Sequence, residues 1–295
     1  MTTTAQYAVV TPVRDEAESL PRLAESLAAQ TSSPETWVVV ENGSTDETAE
    51  IAHKLASRHR WIRVVDAAAG PEGERARPIV LAFQAGIAAL SPRPQFIAKV
   101  DADVTLPPEY FEGLLEKLDT DRILGVVSGT CFEQHDGAWL ERFGTGSSVW
   151  GAARVYRWTC LEQLLPLENR TAWDWIDVAE ANVRGWRTAV ARDQPFYHHR
   201  REGDRARTRW AQWSSQGYAA HYLGYRPSYL LVRALYRSLR DPAALALVSS
   251  YAGAALLRQE RCRKTALVEH VREQQLLRNL TRRATEALGR DAATR

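Results

Sequence analysis

The chain has 295 residues, 45% of them hydrophobic, with 38 Lys+Arg against 36 Asp+Glu for a formal net charge of +2. That apolar content is ample for a core and describes a soluble globular chain. The charge is unevenly spread: residues 226–295 hold 14 Lys+Arg against 6 Asp+Glu, and residues 1–225 hold 24 against 30. With an acidic first part and no recognition motif, nucleic acid is excluded as the expected partner.

Cys131, Cys160 and Cys262 are odd in number, far apart and without a Cys-x-x-Cys pairing, which argues against a disulfide framework or a zinc site and points to a reducing cytoplasm. The N-terminus lacks a basic region followed by an apolar core, so no signal peptide is expected. The apolar run Ala243–Leu257 is too short and too rich in Ser, Gly and Ala for a membrane span.

Tyr7–Thr11 reads as a strand ending at Pro12, and Leu20, Leu23 and Leu27 then recur at helical spacing. Trp37–Val40 is a second strand. It runs into Glu41-Asn42-Gly43-Ser44-Thr45-Asp46-Glu47-Thr48, where Ser44 followed three residues later by Glu47 predicts a capping box before a helix through Ile51 and Leu55. Ile62–Val65 is a third strand, and residues 70–78 form a glycine- and charge-rich loop. Arg75 or Arg77 in that loop either contacts a diphosphate, which guanidinium forks match, or is an ordinary solvated arginine. Pro78–Leu90 is a helix. Gly86 inside it predicts a close approach, to a nucleotide or to a neighbouring strand.

Phe96–Val100 is the fourth strand, apolar enough to be buried on both faces. It stops in Asp101-Ala102-Asp103, whose carboxylates would leave an extended chain on the same side and so address one point. That point suits Mg2+ or Mn2+ completed by substrate phosphates. The competing reading is that Asp103 opens a turn and caps a helix near Pro107-Pro108. Four strands alternating with helices predict a Rossmann-like, mostly parallel α/β sheet that gathers the loops after the strands at one edge.

Three stretches, Thr11-Pro12-Val13-Arg14-Asp15-Glu16, Val38–Thr48 and Lys99-Val100-Asp101-Ala102-Asp103, resemble in order and spacing the N-terminal signatures of family 2 glycosyltransferases, which have the GT-A fold. The resemblance implies an inverting enzyme in which these loops hold a nucleoside-diphosphate sugar and the Asp-x-Asp binds a divalent metal on its diphosphate. Donor-binding residues by this resemblance are Thr11, Pro12, Arg14, Glu16, Glu41, Asn42, Ser44, Asp46, Lys99, Asp101, Ala102 and Asp103, with Asp101 and Asp103 on the metal. Glu41 departs from the Asp usual in the family, at a position tied to the nucleotide.

Further on, Gly151–Arg157 resembles the family segment that lines the acceptor pocket, although packing explains Trp150, Tyr156 and Trp158 equally well. Trp173–Glu180, closed at Gly185-Trp186-Arg187, resembles the family's Glu-Asp motif, with Trp173 in place of Glu. Counting back from Gly185 makes Asp174 the implied catalytic base, and Asp177 is the reserve. A carboxylate is needed there because a sugar hydroxyl attacks well only as it gives up its proton. His198 or His199 is implied as a further metal or diphosphate ligand.

These features predict residues 1–225 as the transferase domain, with a nucleotide-sugar half at 1–105 and an acceptor half at 106–225, and 226–295 as a basic helical extension. In the extension, Tyr229, Leu230, Val232, Leu235, Tyr236 and Leu239 alternate with arginines, a mild apolar hairpin follows, and a last helix carries Leu267, Val271, Leu276, Leu277 and Leu280. It suits either the anionic inner face of the plasma membrane or a packing arm or homodimer interface. The expected donor is UDP-linked, and the expected acceptor a lipid-linked or envelope glycan, or else a small natural product. A catalytically idle sugar-nucleotide-binding scaffold and a nucleotidyltransferase are the alternatives.

Overall fold

The computed structural model describes residues 6–67, 76–135, 137–142, 149–200 and 208–276, without the side chains of 76–78 and 135. Arg75, the Arg77 side chain, Leu277 and Leu280 lie outside the described residues. Contacts divide the chain into two compact units, Met1–Arg200 and Arg201–Arg295.

In the first unit, β1 (Tyr7–Val13), β2 (Thr36–Glu41), β3 (Ile62–Asp66) and β4 (Phe96–Val100) pair in parallel in the order β3-β2-β1-β4. The alternation of side chains feeds two cores. Val9, Val39 and Ala98 face α1 (Ser19–Ala28) through Leu20, Leu23 and Leu27, while Val10, Val38, Val40 and Ile97 face α3 (Ala76–Ala88) through Val80, Phe83 and Ile87. Gly86 lies on α3 where a Cβ would meet Val10 and Val40, so its close approach is to the strands. Because these four strands run parallel, the loops leaving β1, β2 and β4 all start from one edge of the sheet, where sheets of this kind form their crevice.

Beyond β4 the sheet turns antiparallel. β8 (Ala153–Arg157) pairs antiparallel with β4 and with β6 (Leu124–His135), and β9 (Arg187–His198) runs parallel to β6. The two-residue β5 (Val104–Thr105) pairs with the end of β9 and sets His198 opposite Val104. β7 (Ala138–Glu141) folds back on β6. The remaining helices of this unit are α2 (Thr48–Arg58), α4 (Tyr110–Thr120), α5 (Trp158–Leu164) and α6 (Trp173–Val183).

The capping box expected from Ser44 and Glu47 does not form: α2 begins only at Thr48 and has no side-chain cap at Glu47. Asp46 instead accepts from the Thr48 amide at 3.0 Å, and the Ser44 hydroxyl is used by another loop. Tertiary bonds displace the local rule here.

The second unit is helical: α7 (Arg209–Tyr222), α8 (Pro227–Ser238), a 3-10 turn at Pro242–Leu245, α9 (Ala246–Leu256) and α10 (Thr265–Gln274). Ala220, Leu230, Ala234 and Leu247 form its small core. α7, which precedes the junction expected at 225/226, packs on α9. The apolar hairpin expected over Ala243–Leu257 is the 3-10 turn and one helix, as its alanines favour.

Candidate active site

The loops after β1 and β2 are laced together. The Thr45 amide donates to Asp15 Oδ1 at 2.7 Å, the Asp15 amide to Ser44 Oγ at 3.1 Å, the Glu16 amide to Thr48 Oγ1 at 2.7 Å and the Ala17 amide to Asp46 Oδ2 at 3.2 Å. Asp15, at a left-handed φ of 54°, is central to this lacing and was missed in the sequence, where its strain leaves no signal. Glu41 turns its carboxylate into its own loop, accepting from the Gly43 and Ser44 amides at 3.0 and 2.5 Å. Burial opposes ionisation there, but the bonds from Ser44, Gly43 and Asn42 win and lower its pKa.

Of the other predicted donor residues on these loops, Arg14 is partly exposed and lies 3.9 Å from Asp15. Asn42 is buried, and Pro12 is partly so. Thr11 faces the core, where its hydroxyl accepts from the Trp37 indole at 2.9 Å.

The two acids after β4 have different partners. The chain leaves the extended conformation after Val100 and turns through Ala102-Asp103, so strand alternation no longer applies. Asp101 pairs with the buried Lys99 ammonium at 2.5 Å, and Lys99 donates to the Gly151 carbonyl at 2.8 Å. Asp103 is buried, with its Oδ1 3.2 Å from His198 Nε2 and its Oδ2 3.6 Å from Arg200. Arg200 also grips Glu16 with two bonds of 3.0 and 2.9 Å, which ties the first loop to the fourth strand. Ala102 is buried between these acids.

The pairing of β5 with β9 gives the two histidines different surroundings. His198 faces Asp103, whereas His199 Nε2 lies 2.7 Å from Thr105 Oγ1 and its ring meets the edge of Trp139. Burial disfavours the His198 cation, but its interactions with Asp103, Cys131 and Glu133 outweigh burial and raise its pKa to about 11. The carboxylate oxygen and imidazole nitrogen of Asp103 and His198 are neighbouring donors of the kind Mn2+ or Mg2+ accepts, so these two residues fit a divalent cation.

Asp174 of α6 approaches the strip of backbone at Gly151, which Lys99 also binds. Gly185, at φ 88°, closes the helix, with the Trp186 amide on the Ala181 carbonyl and the Gly185 amide on that of Asn182, the paired bonds of a Schellman end. Asp174 in the first turn is 44% exposed, and its Oδ2 lies so near Gly151 that a Cβ there would come within 2.5 Å. Asp177 is 2% exposed. It accepts two bonds from Arg154 Nη1 at 3.0 and 3.1 Å, one from the Val178 amide at 2.6 Å and one from the Tyr156 hydroxyl. Burial raises the pKa of Asp177, against the attraction of Arg154 and the Tyr156 hydrogen bond, which lower it.

Arg154, on β8 and wholly buried, also donates to the carbonyls of Trp150 at 3.0 Å and Asp174 at 2.9 Å. It therefore fixes both the strip and the start of α6. An arginine inside an apolar strand was the available sequence signal for it. Trp173, where the family motif has Glu, is packing: it meets Phe83 and sits over Lys99.

Gly151 and Ala152 are the meeting point of this arrangement. Lys99 and the Asp101 amide, at 2.7 Å from the Ala152 carbonyl, bind this strip, and Asp174 lies against it at Gly151.

A profile of the family described as Glycosyl transferase family 2 matches residues 8–230. Among curated proteins, no sequence matches the chain. Solved structures that it resembles include the mannosyltransferase PcManGT from Pyrobaculum calidifontis in complex with GDP-Man and Mn2+. That likeness has 16% identity and a TM-score of 0.58, over 97% of this chain and 85% of that one. Another is S. aureus TarS 1-349 in complex with UDP-GlcNAc, with 18% identity, a TM-score of 0.55 and 72% of this chain covered. A third is GalNAc-T7 with UDP, GalNAc and Mn2+, with 13% identity and a TM-score of 0.56, over 69% of this chain and 45% of that one. The matched part spans 64% of the length of the TarS chain. At these identities the likeness is one of fold.

Proposed function

The chain belongs to glycosyl transferase family 2 and has its GT-A fold, and from that premise we propose that it moves a sugar, with inversion, from a nucleoside-diphosphate sugar to a hydroxyl acceptor. The observation that carries this reading is the Gly151-Ala152 strip, bound by Lys99 and Asp101 and touched by Asp174. Asp174 takes the acceptor proton as the hydroxyl attacks the anomeric carbon. The laced loops carrying Arg14, Glu16, Asn42 and Ser44 hold the nucleotide. Asp177 and Arg154 hold Asp174 in place. Asp103 and His198 would hold Mn2+ or Mg2+, which supplies charge neutralisation for the departing diphosphate. Lys99 holds Asp101 and the Gly151 carbonyl together.

UDP-linked sugars are the proposed donors, since TarS and GalNAc-T7 bind UDP or its sugar, while GDP-Man in PcManGT makes GDP-sugars the comparison to run. The purified chain is expected to release nucleoside diphosphate from a UDP-sugar with Mn2+, and Asp103→Asn to lower that turnover by roughly tenfold or more, as loss of a charge-stabilising group does. Pyrophosphate released from a nucleoside triphosphate would favour a nucleotidyltransferase instead. Binding without turnover would favour an idle scaffold.

For the acceptor, a lipid-linked glycan at an anionic membrane surface is proposed, on the evidence of α8. Leu231, Val232, Leu235, Tyr236 and Leu239 recur at helical spacing on its exposed side, with Leu239 82% exposed, and Arg226, Arg233, Arg237 and Arg240 flank them. Among the described residues, no helix is long and apolar enough to cross a membrane. Two copies of this face meeting would set arginine against arginine, so lipid is the better partner. Vesicles containing anionic lipid are expected to sediment the chain. Leu235→Glu with Tyr236→Glu is expected to weaken that binding at least about tenfold, since each buried side chain contributes about 1.5–3 kcal/mol. Unchanged sedimentation would remove the membrane from the proposal.

A further inference from the structure

We propose that Cys131, Glu133 and His198 form a binding site for Zn2+ distinct from the donor-side cation position on Asp103. The register of β6 and β9 sets Glu133 opposite His198 and Cys131 opposite Phe196, so the three side chains share one face of the sheet. One candidate ligand atom from each lies within 4.8 Å of the others. His198 Nδ1 is buried with no partner at hydrogen-bond distance, and Glu133 Oε1 is 3.8 Å away.

The opposite ring nitrogen supplies a second observation. His198 Nε2 lies 3.2 Å from Asp103, and a metal-bound histidine characteristically backs its free N–H onto a carboxylate in this way. Arg142 donates to Glu133 Oε1 at 3.2 Å and orients that carboxylate. Thiolate, imidazole and carboxylate select zinc over magnesium or manganese, and three protein ligands leave a fourth position for water. On binding, the thiol proton and the Nδ1 proton leave to solvent, and the two anionic ligands balance the charge of the ion. Cysteine spacing hid this set, because it joins one cysteine to a glutamate on the same strand and a histidine on another.

A metal on Nδ1 commits the Nε2 hydrogen to Asp103, so the ring cannot at the same time ligate a cation there. Zn2+ should therefore inhibit sugar transfer; this consequence, unlike the site, rests on the proposed transferase reading. The test is titration of the metal-stripped full chain with Co2+ as an optical probe. A thiolate-to-cobalt charge-transfer band should saturate at one equivalent, disappear on adding Zn2+, be absent in Cys131→Ser and survive in Cys160→Ser and Cys262→Ser. Glu133→Gln should weaken Zn2+ binding at least about tenfold.

No band in the unaltered chain overturns the site whatever the variants do, as does a band that persists in Cys131→Ser. In the transfer assay, Zn2+ inhibition should be lost in Cys131→Ser with basal activity intact. Inhibition that persists there overturns the coupling, while a chain inactive in transfer leaves the spectroscopic result standing alone.

Discussion

Asp174→Asn is expected to lower the rate of sugar transfer by about 10²–10⁴-fold, the range for removing a positioned general base. The substitution keeps the shape and the hydrogen-bonding edge but cannot accept the acceptor proton. None of the bonds that lace the donor loops involves Asp174, so the donor KM should stay within a few-fold. Steady-state kinetics with saturating acceptor separates the two effects. Activity within tenfold of the unaltered chain would exclude Asp174 as the base. Asp177 is a poor substitute, since its carboxylate is buried and accepts from Arg154, Tyr156 and Val178.

The second large effect concerns stability. Asp177→Ala leaves the wholly buried Arg154 without its carboxylate, and breaking a buried pair in this way costs about 3–5 kcal/mol. Thermal denaturation should register this as a fall of roughly 10 °C for a unit of this size. Replacing both partners, Arg154→Met with Asp177→Leu, should recover part of the loss by removing both charges. Full recovery is not expected, because Arg154 also serves the carbonyls of Val149, Trp150 and Asp174. A fall below about 1 kcal/mol in Asp177→Ala would mean that the pair does not hold the strip and α6 together.

The first four strands were legible because each is short, apolar and buried on both faces, and their order gathers the loops at one edge by rule. The helix carrying Asp174 and its end at Gly185 were legible from the glycine and the run before it. The lacing through Asp15 was not, since it depends on bonds between loops that the sequence separates. The placement of His198 rather than His199 beside Asp103 was equally hidden, because it depends on the two-residue pairing of β5 with β9. Alternation failed at Asp101-Ala102-Asp103 for a local reason, the end of the strand. The box at Ser44 and Glu47 failed for a distant one, the competing demand of Asp15.

The bonds between the β1 and β2 loops have a thermodynamic corollary. Asp15, Ser44 and Thr45 already satisfy one another, and Asp46 the Ala17 amide, so a nucleotide bound there, as proposed, would meet a preorganised cradle and spend little ordering entropy on arrival. Calorimetry of nucleotide binding should then give a heat-capacity change that tracks the buried ligand surface alone, without the added contribution that folding of a loose segment brings.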